Sequence, residues 1–178
     1  MSGQLSALRV LVADDNAHMR AIVVTILNGI GIAKVLECGD GAQALDSLKH
    51  HQIDIAIVDF HMTPVDGVEF THLVRQSPDS NCPQLPIIML TGYADRTRVC
   101  EARDAGVTEF IVKPVTARAV VDRINAVIFK PRPFIRADGY FGPCRRRRQD
   151  PKFFGPFRRS TDDELKTKAA KPYSVADV

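Results

Sequence analysis

The residues best able to do chemistry stand where short apolar runs end. Asp14 and Asp15 follow LRVLVA, Asp59 closes DIAIVD, Thr91 closes LPIIMLT, and Lys113 with Pro114 follows TEFIV. If these runs are neighbouring parallel strands, the crevice beyond their carboxyl ends, where ligands bind in such sheets, collects three carboxylates, a hydroxyl and an ammonium. Two carboxylates about 5 Å apart repel by roughly 3 kcal/mol at an effective dielectric of about 20, so three need more compensating charge than one lysine supplies. Mg²⁺ can supply it, because it favours hard oxygen ligands, is held by a carboxylate or two, and keeps places for water and phosphate oxygens. The set then suits phosphoryl transfer. The Asp59 carboxylate can act as nucleophile, Mg²⁺ and Lys113 can neutralise charge on the equatorial oxygens, and the Thr91 hydroxyl can donate to one of them.

Each residue also has a plainer role open to it. Asp14 and Asp15 can cap a following helix, Asp59 can sit in a turn, Thr91 can be a strand-end hydroxyl, and Lys113 can be a solvated charge. Taken singly, such residues are more often structural than functional. Their arrival together at four different strand ends, in the types that one reaction requires, is what points to chemistry.

The elements that must position them follow from hydrophobic patterning. Val- and Ile-rich runs at residues 8–13, 33–37, 54–59, 85–91 and 108–112 alternate with amphipathic segments at about 17–29, 41–50, 67–76, 96–105 and 117–129. This alternation is the pattern of βαβ units around a parallel sheet, and nearly continuous apolar strands are expected where helices cover both faces. Asp40 with Gln43, and Asp66 with Glu69, have the spacing of capping boxes. After Lys130, repeated Pro and Gly interrupt a stretch with neither helical nor strand period, so an α/β body over 7–129 carries a largely irregular, flexible extension over 130–178. Residues 1–129 carry a net charge of −4 and residues 130–178 carry +7, an asymmetry that points to an anionic partner for the extension.

In combination, Asp14-Asp15, Asp59-Phe60-His61-Met62 with Asp66-Gly67, Thr91-Gly92 and Lys113-Pro114 resemble the CheY-like receiver domains of bacterial response regulators. The resemblance covers residues 7–129. It implies a doubly wound, flavodoxin-like sheet of five parallel strands in the order 2-1-3-4-5, and a phosphorylation switch in two-component signalling. Asp59 is then the phosphoacceptor, Asp15, Asp59 and the His61 backbone carbonyl hold Mg²⁺ directly, and Asp14 acts through water. Thr91 and Lys113 contact the phosphoryl group, Phe110 takes the place of the aromatic switch residue, and the Lys113-Pro114 bond is cis. The implied donor is phosphohistidine on a sensor histidine kinase or histidine phosphotransfer protein, and the implied output is a downstream protein target. The sequence departs from the family in one loop, where Thr63, rather than proline, stands four residues after Asp59 and Pro64 follows it. His61 and Tyr93, two residues after the acceptor and the threonine, stand where side chains can hinder the water that hydrolyses an aspartyl phosphate.

A phosphatase of the haloacid-dehalogenase type needs a second Asp two positions after its nucleophile, where this chain has His61, and no GxxxxGK[ST] loop is present. His50-His51 reads as a solvated helix end rather than a metal site. In the extension, Tyr140 to Arg146 and Phe153 to Arg159 form a short repeat, and Arg145, Arg146, Arg147, Arg148, Arg158 and Arg159 interleave with aromatic residues. Such a segment can meet phosphates and stacked bases, and it is similar to arginine-rich extensions on some single-domain CheY-like proteins that bind a cyclic dinucleotide. A cyclic-dinucleotide or nucleic-acid effector gated by the receiver is therefore the alternative function, set against a solvated charge run. A short helix over 161–170 has a capping-box start. Cys38, Cys82, Cys100 and Cys144 show neither zinc spacing nor a disulfide framework, and the first residues show no secretory signal, so a cytoplasmic protein without membrane insertion is expected.

Overall fold

The computed structural model describes residues 5–92, 96–137 and 139–145. Among them the elements follow as β1 (Arg9–Ala13), α1 (Ala17–Gly29), β2 (Lys34–Cys38), α2 (Gly41–His50), β3 (Ile55–Asp59), α3 (Gly67–Gln76), β4 (Ile87–Thr91), α4 (Arg96–Ala105), β5 (Glu109–Val112), α5 (Ala117–Phe129), β6 (Phe134–Ala137) and β7 (Tyr140–Pro143). The first five strands pair in parallel in the order β2-β1-β3-β4-β5, as the resemblance implied. The five helices have the bounds that periodicity and caps suggest. The strands begin one or two residues later than the apolar runs do, since the first residues of each run lead into the ladder before pairing.

Alternate strand residues face opposite sides. Val10, Val12, Ile57, Ile88 and Leu90 pack with Val23 and Leu27 of α1 and Ile124 and Val127 of α5. Leu11, Ala13, Ala56, Val58 and Ile87 pack on the other face with Ala44 and Leu48 of α2 and Phe70 and Val74 of α3. Each fully buried Val, Leu, Ile or Phe contributes about 1.5–3 kcal/mol, which is why strands covered on both sides are apolar at almost every position. A smaller cluster of Phe60, Met89, Ala102 and Val107 seats α4. Register then delivers the polar residues. Ala13 lies opposite Val58, so Asp14 leaves β1 beside Asp59, and Thr91 lies opposite Val112, so Lys113 leaves β5 just beyond Thr91.

The helix starts are capped as the spacing suggests: the Asp40 carboxylate accepts from the Gln43 amide and the Asp66 carboxylate from the Glu69 amide, both at 2.8 Å. For α1 the cap is Asn16, which accepts from the His18 and Met19 amides. Asp14 and Asp15 are thereby not used as caps.

The extension differs from its sequence reading over residues 134–143. Where no strand period was apparent, β6 and β7 form an antiparallel hairpin that packs on α3 and α4. Two four-residue strands are too short for alternation to register, and the Asp138-Gly139 dipeptide between them was the available hairpin signal. Gly139 has φ +68°, the left-handed conformation that such turns favour. Arg132 reaches from the start of the extension to the Thr108 and Cys144 carbonyls. The extension's possible helix over 161–170 lies outside the described residues. All four cysteines are free, and no helix among the described residues is long and apolar enough to cross a membrane.

Candidate functional site

The five side chains singled out by type arrive at one rim. Asp14 is fully buried, Asp59 and Thr91 are buried at the ends of β3 and β4, and Asp15 is exposed. Lys113 leans from the end of β5 between two carboxylates, with Nζ 2.8 Å from Asp59 Oδ1 and 3.2 Å from Asp14 Oδ2. The other Asp14 oxygen accepts from the Asn16 amide at 2.9 Å, and Arg20 donates to the Asp14 carbonyl at 2.6 Å. Asp14 is thus committed on both oxygens, whereas Asp15 stands free to the solvent side. The Lys113-Pro114 bond is cis, as is Thr63-Pro64 in the loop where the sequence departs from the family.

Local backbone geometry holds Asp59 in place. The Lys113 amide donates to the Thr91 carbonyl at 2.7 Å and the Phe60 amide to the Leu90 carbonyl at 2.9 Å, tying the strand ends to one another. Gly67, the first residue of α3, packs so closely on β3 that a Cβ there would lie 2.3 Å from the Asp59 carbonyl oxygen, so only glycine fits.

The electrostatics are unbalanced. Burial pushes the Asp59 carboxyl above its ordinary range; Lys113 pulls it back by hydrogen bond and charge, and Asp14 adds to the rise. For Lys113, burial opposes the charge, but hydrogen bonds to and charges on Asp59 and Asp14 together outweigh it and hold the ammonium above its ordinary value. A carboxyl that keeps a raised proton affinity with an ammonium at 2.8 Å is not fully compensated. One oxygen from each of Asp14, Asp15 and Asp59 lies within 4.8 Å of the others. Three hard oxygen donors with surplus negative charge suit a Mg²⁺ ion. Chemically, the rim combines a carboxylate that can act as a nucleophile, a lysine cation and a hydroxyl-bearing strand end.

Two partners of the site were not singled out from the sequence. Asn16, by capping α1, leaves the acidic pair to the rim. Arg98 on α4 reaches back to His61, bonding its Nε2, and lies over the Phe60 ring with 5.6 Å to its centroid. Nothing in the local pattern of an exposed arginine announces such a contact, since it depends on how α4 sits beside the β3–α3 loop. His61 is exposed, and its ring meets Phe60 edge-on at 4.9 Å. Phe110 is half-buried against the cluster that seats α4, and its carbonyl accepts from Arg123.

Of the arginines that marked the extension, Arg145 is engaged: it pairs with Asp104 of α4 at 3.3 Å and lies over the Tyr140 ring at 4.2 Å. It fastens the hairpin to the body rather than standing free for an anion. Arg146, Arg147, Arg148, Arg158, Arg159 and Tyr93 lie outside the described residues.

Residues 10–125 match the response regulator receiver domain family. Over 120 residues the chain is 32% identical to chemotaxis protein CheY of Pseudomonas aeruginosa, covering 67% of this chain and 95% of that protein. Chemotaxis protein CheY-3 of Vibrio cholerae is 32% identical over 67% of this chain and 91% of its own length. Among solved structures, chemotaxis protein CheY4 of Vibrio cholerae superposes with a TM-score of 0.63 at 29% identity, covering 68% of this chain and 98% of that one. A putative response regulator from Chloroflexus aurantiacus gives the same TM-score of 0.63 at 27% identity, over 67% and 96% of the two chains. With its strand order, its acidic rim and a lysine on a cis proline bond, this chain belongs to the CheY-like receiver domains, the phosphorylation-dependent switches of two-component signalling.

Proposed function

We propose that residues 7–129 form the receiver unit and that Asp59 is its phosphoacceptor, charged by phosphohistidine on a histidine kinase or a histidine phosphotransfer protein. The observation that carries this reading is the Lys113 ammonium set 2.8 Å from Asp59 and 3.2 Å from Asp14 at the carboxyl end of the sheet. An Asp59 carboxylate oxygen attacks phosphorus in line, an O–P bond forms as the P–N bond to imidazole breaks, and the leaving imidazole takes a proton from solvent. Lys113 neutralises charge on the phosphoryl oxygens, and Thr91, at the end of the adjacent strand, donates its hydroxyl to one of them. Asp15, Asp59 and the His61 carbonyl would hold Mg²⁺, with Asp14 acting through water, and the ion would supply charge neutralisation for the phosphoryl group. His61, two residues beyond the acceptor, slows the water that removes the phosphoryl group. Phe110 turns inward as Thr91 moves toward phosphate, and a downstream protein in the cytoplasm recognises the altered face.

The test is intact-mass measurement after incubation with a small phosphoramidate. Gain of one phosphoryl group, dependent on Mg²⁺ and lost in Asp59→Asn, is expected. Labelling that survives either the substitution or metal chelation overturns the assignment. Asp15→Asn should weaken Mg²⁺ binding more than Asp14→Asn, because both Asp14 oxygens are already bonded to Asn16 and Lys113.

A further inference from the structure

Arg20 stands in the first turn of α1, where a positive charge meets the positive end of the helix dipole, and no acidic residue shares that turn. It is nonetheless drawn in, with 19% of its side chain exposed. Side chains on a helix lean toward its amino end, so a long one in the first turn can reach back past the Asn16 cap. Arg20 Nη1 thereby donates to the Asp14 carbonyl oxygen at 2.6 Å, and Nε lies 3.6 Å from a carboxylate oxygen of Glu37 on β2. Nε is buried and makes no hydrogen bond among the described residues, so Glu37 holds the guanidinium by charge. Asp14 is in consequence fixed at every polar atom. Its amide donates to the Cys38 carbonyl at 3.3 Å, its carboxylate oxygens accept from the Asn16 amide and from Lys113, and its carbonyl accepts from Arg20. Asp15 is the opposite case, exposed and with a side chain that makes no hydrogen bond or ion pair among the described residues. Yet one of its carboxylate oxygens stands within 4.8 Å of those of Asp14 and Asp59.

What aims Asp15 is therefore its backbone, and the backbone leading into it is the planar peptide that carries the Asp14 carbonyl. We propose that Arg20 is a positioning residue for the metal site: by holding the plane of that peptide, it points the Asp15 carboxylate at the rim where Mg²⁺ would bind. The inference rests on the reading of Asp15 as a Mg²⁺ ligand. A charge-assisted bond from a guanidinium to a carbonyl is short and strong enough to stop the plane from turning. Charge alone acts in the other direction. An arginine beside three carboxylates repels an incoming cation, so on charge alone its removal would tighten Mg²⁺ binding. Positioning and repulsion thus differ in sign, and a single affinity measurement separates them.

Titration of the full chain with magnesium chloride, followed by amide resonances, is the test. Arg20→Ala should weaken Mg²⁺ binding about tenfold, although it removes a positive charge. In the metal-free protein the same substitution should move the amides of residues 13–16 and 37–38 and leave those of α2, α3 and the hairpin in place, which separates a turned peptide from a chain that fails to fold. Arg20→Lys, a milder change that keeps the charge, should weaken binding about threefold, since a single ammonium cannot serve the carbonyl and Glu37 as the guanidinium does. In an Asp15→Asn background Arg20→Ala should leave the affinity unchanged or raise it, because the ligand that Arg20 aims is gone. Unaltered or tighter binding in Arg20→Ala or Arg20→Lys, or equal weakening with and without the Asp15 carboxylate, overturns the proposal while leaving the metal reading in place. Mg²⁺ binding that ignores Asp15→Asn overturns the reading of Asp15 as a ligand, and this inference with it.

Discussion

The two ends of the central sheet handle buried charge in opposite ways. At the carboxyl end, Lys113 is shared between Asp14 and Asp59, and Asp15 adds a further negative charge nearby. At the amino end of β4 and β5, the buried Arg75 is set instead against the Phe134 ring and the Gly106 and Pro83 carbonyls, and the half-buried Arg145 lies on the Tyr140 ring while pairing with Asp104 of α4. The difference separates a site from a joint. Surplus negative charge around one lysine leaves the rim open to an incoming cation, whereas Arg75, from α3 onto the Phe134 ring, and Arg145, from the hairpin to Asp104, fasten the hairpin to α3 and α4. Neutralising a charge should therefore relieve the first end and weaken the second.

The largest expected effect tests the rim as a site. Asp59→Asn should abolish phosphorylation by a small phosphoramidate outright, while Arg145→Ala, which disturbs only the Asp104 pair and the Tyr140 ring, should leave the extent of labelling unchanged in intact-mass spectra. Equal loss in both variants would merge the two regions into one functional unit.

Next comes the joint. Arg75→Ala removes two buried hydrogen bonds and a ring contact, leaves the Gly106 and Pro83 carbonyls unsatisfied, and opens a cavity. Urea unfolding should show a loss of about 3 kcal/mol. A loss under about 1 kcal/mol would mean that the hairpin is held mainly by its other contacts.

A smaller effect is expected at Gly106, where φ is +106° and a Cβ would lie 3.0 Å from the Phe141 carbonyl oxygen. Gly106→Ala should cost about 1–2 kcal/mol, with hydrogen exchange accelerated in the hairpin rather than at the rim. Uniform acceleration across both ends would contradict the separation.

The smallest and most diagnostic effect has the opposite sign. In the folded chain the Asp59 carboxyl keeps its proton to higher pH than its ordinary value of 3.8, so its ionisation costs stability above the raised folded value and costs nothing below 3.8. Asp59→Asn should therefore raise stability at neutral pH, and thermal melts should show the gain shrinking as pH falls through the folded value. A destabilised Asp59→Asn would indicate that the Lys113 pair outweighs the burial of the carboxylate.

Much of the carboxyl end was legible in the amino-acid sequence. Parallel sheets place strand ends on one rim, and the apolar runs end in Asp14, Asp59, Thr91 and Lys113, so the chemistry could be assembled from run boundaries alone. The caps at Asp40 and Asp66 were equally visible, because a cap and its amide lie within four residues of each other. The amino end was opaque. The hairpin strands are four residues each, below the length at which alternation is informative, and their turn signal sat among other glycines and prolines.

The amino-acid sequence by itself therefore determined the five βα units and the identity of the acidic rim, since period, caps and run ends are local properties. Tertiary structure alone decided that Lys113 spans Asp14 and Asp59 and that Arg98 reaches His61. It also decided that Arg75, an ordinary charged residue in an amphipathic helix, is sealed under a hairpin whose nearest strand begins 59 residues later. The physical reason is the same in each case: these contacts join segments distant in sequence, and their geometry exists only once the helices have packed on the sheet.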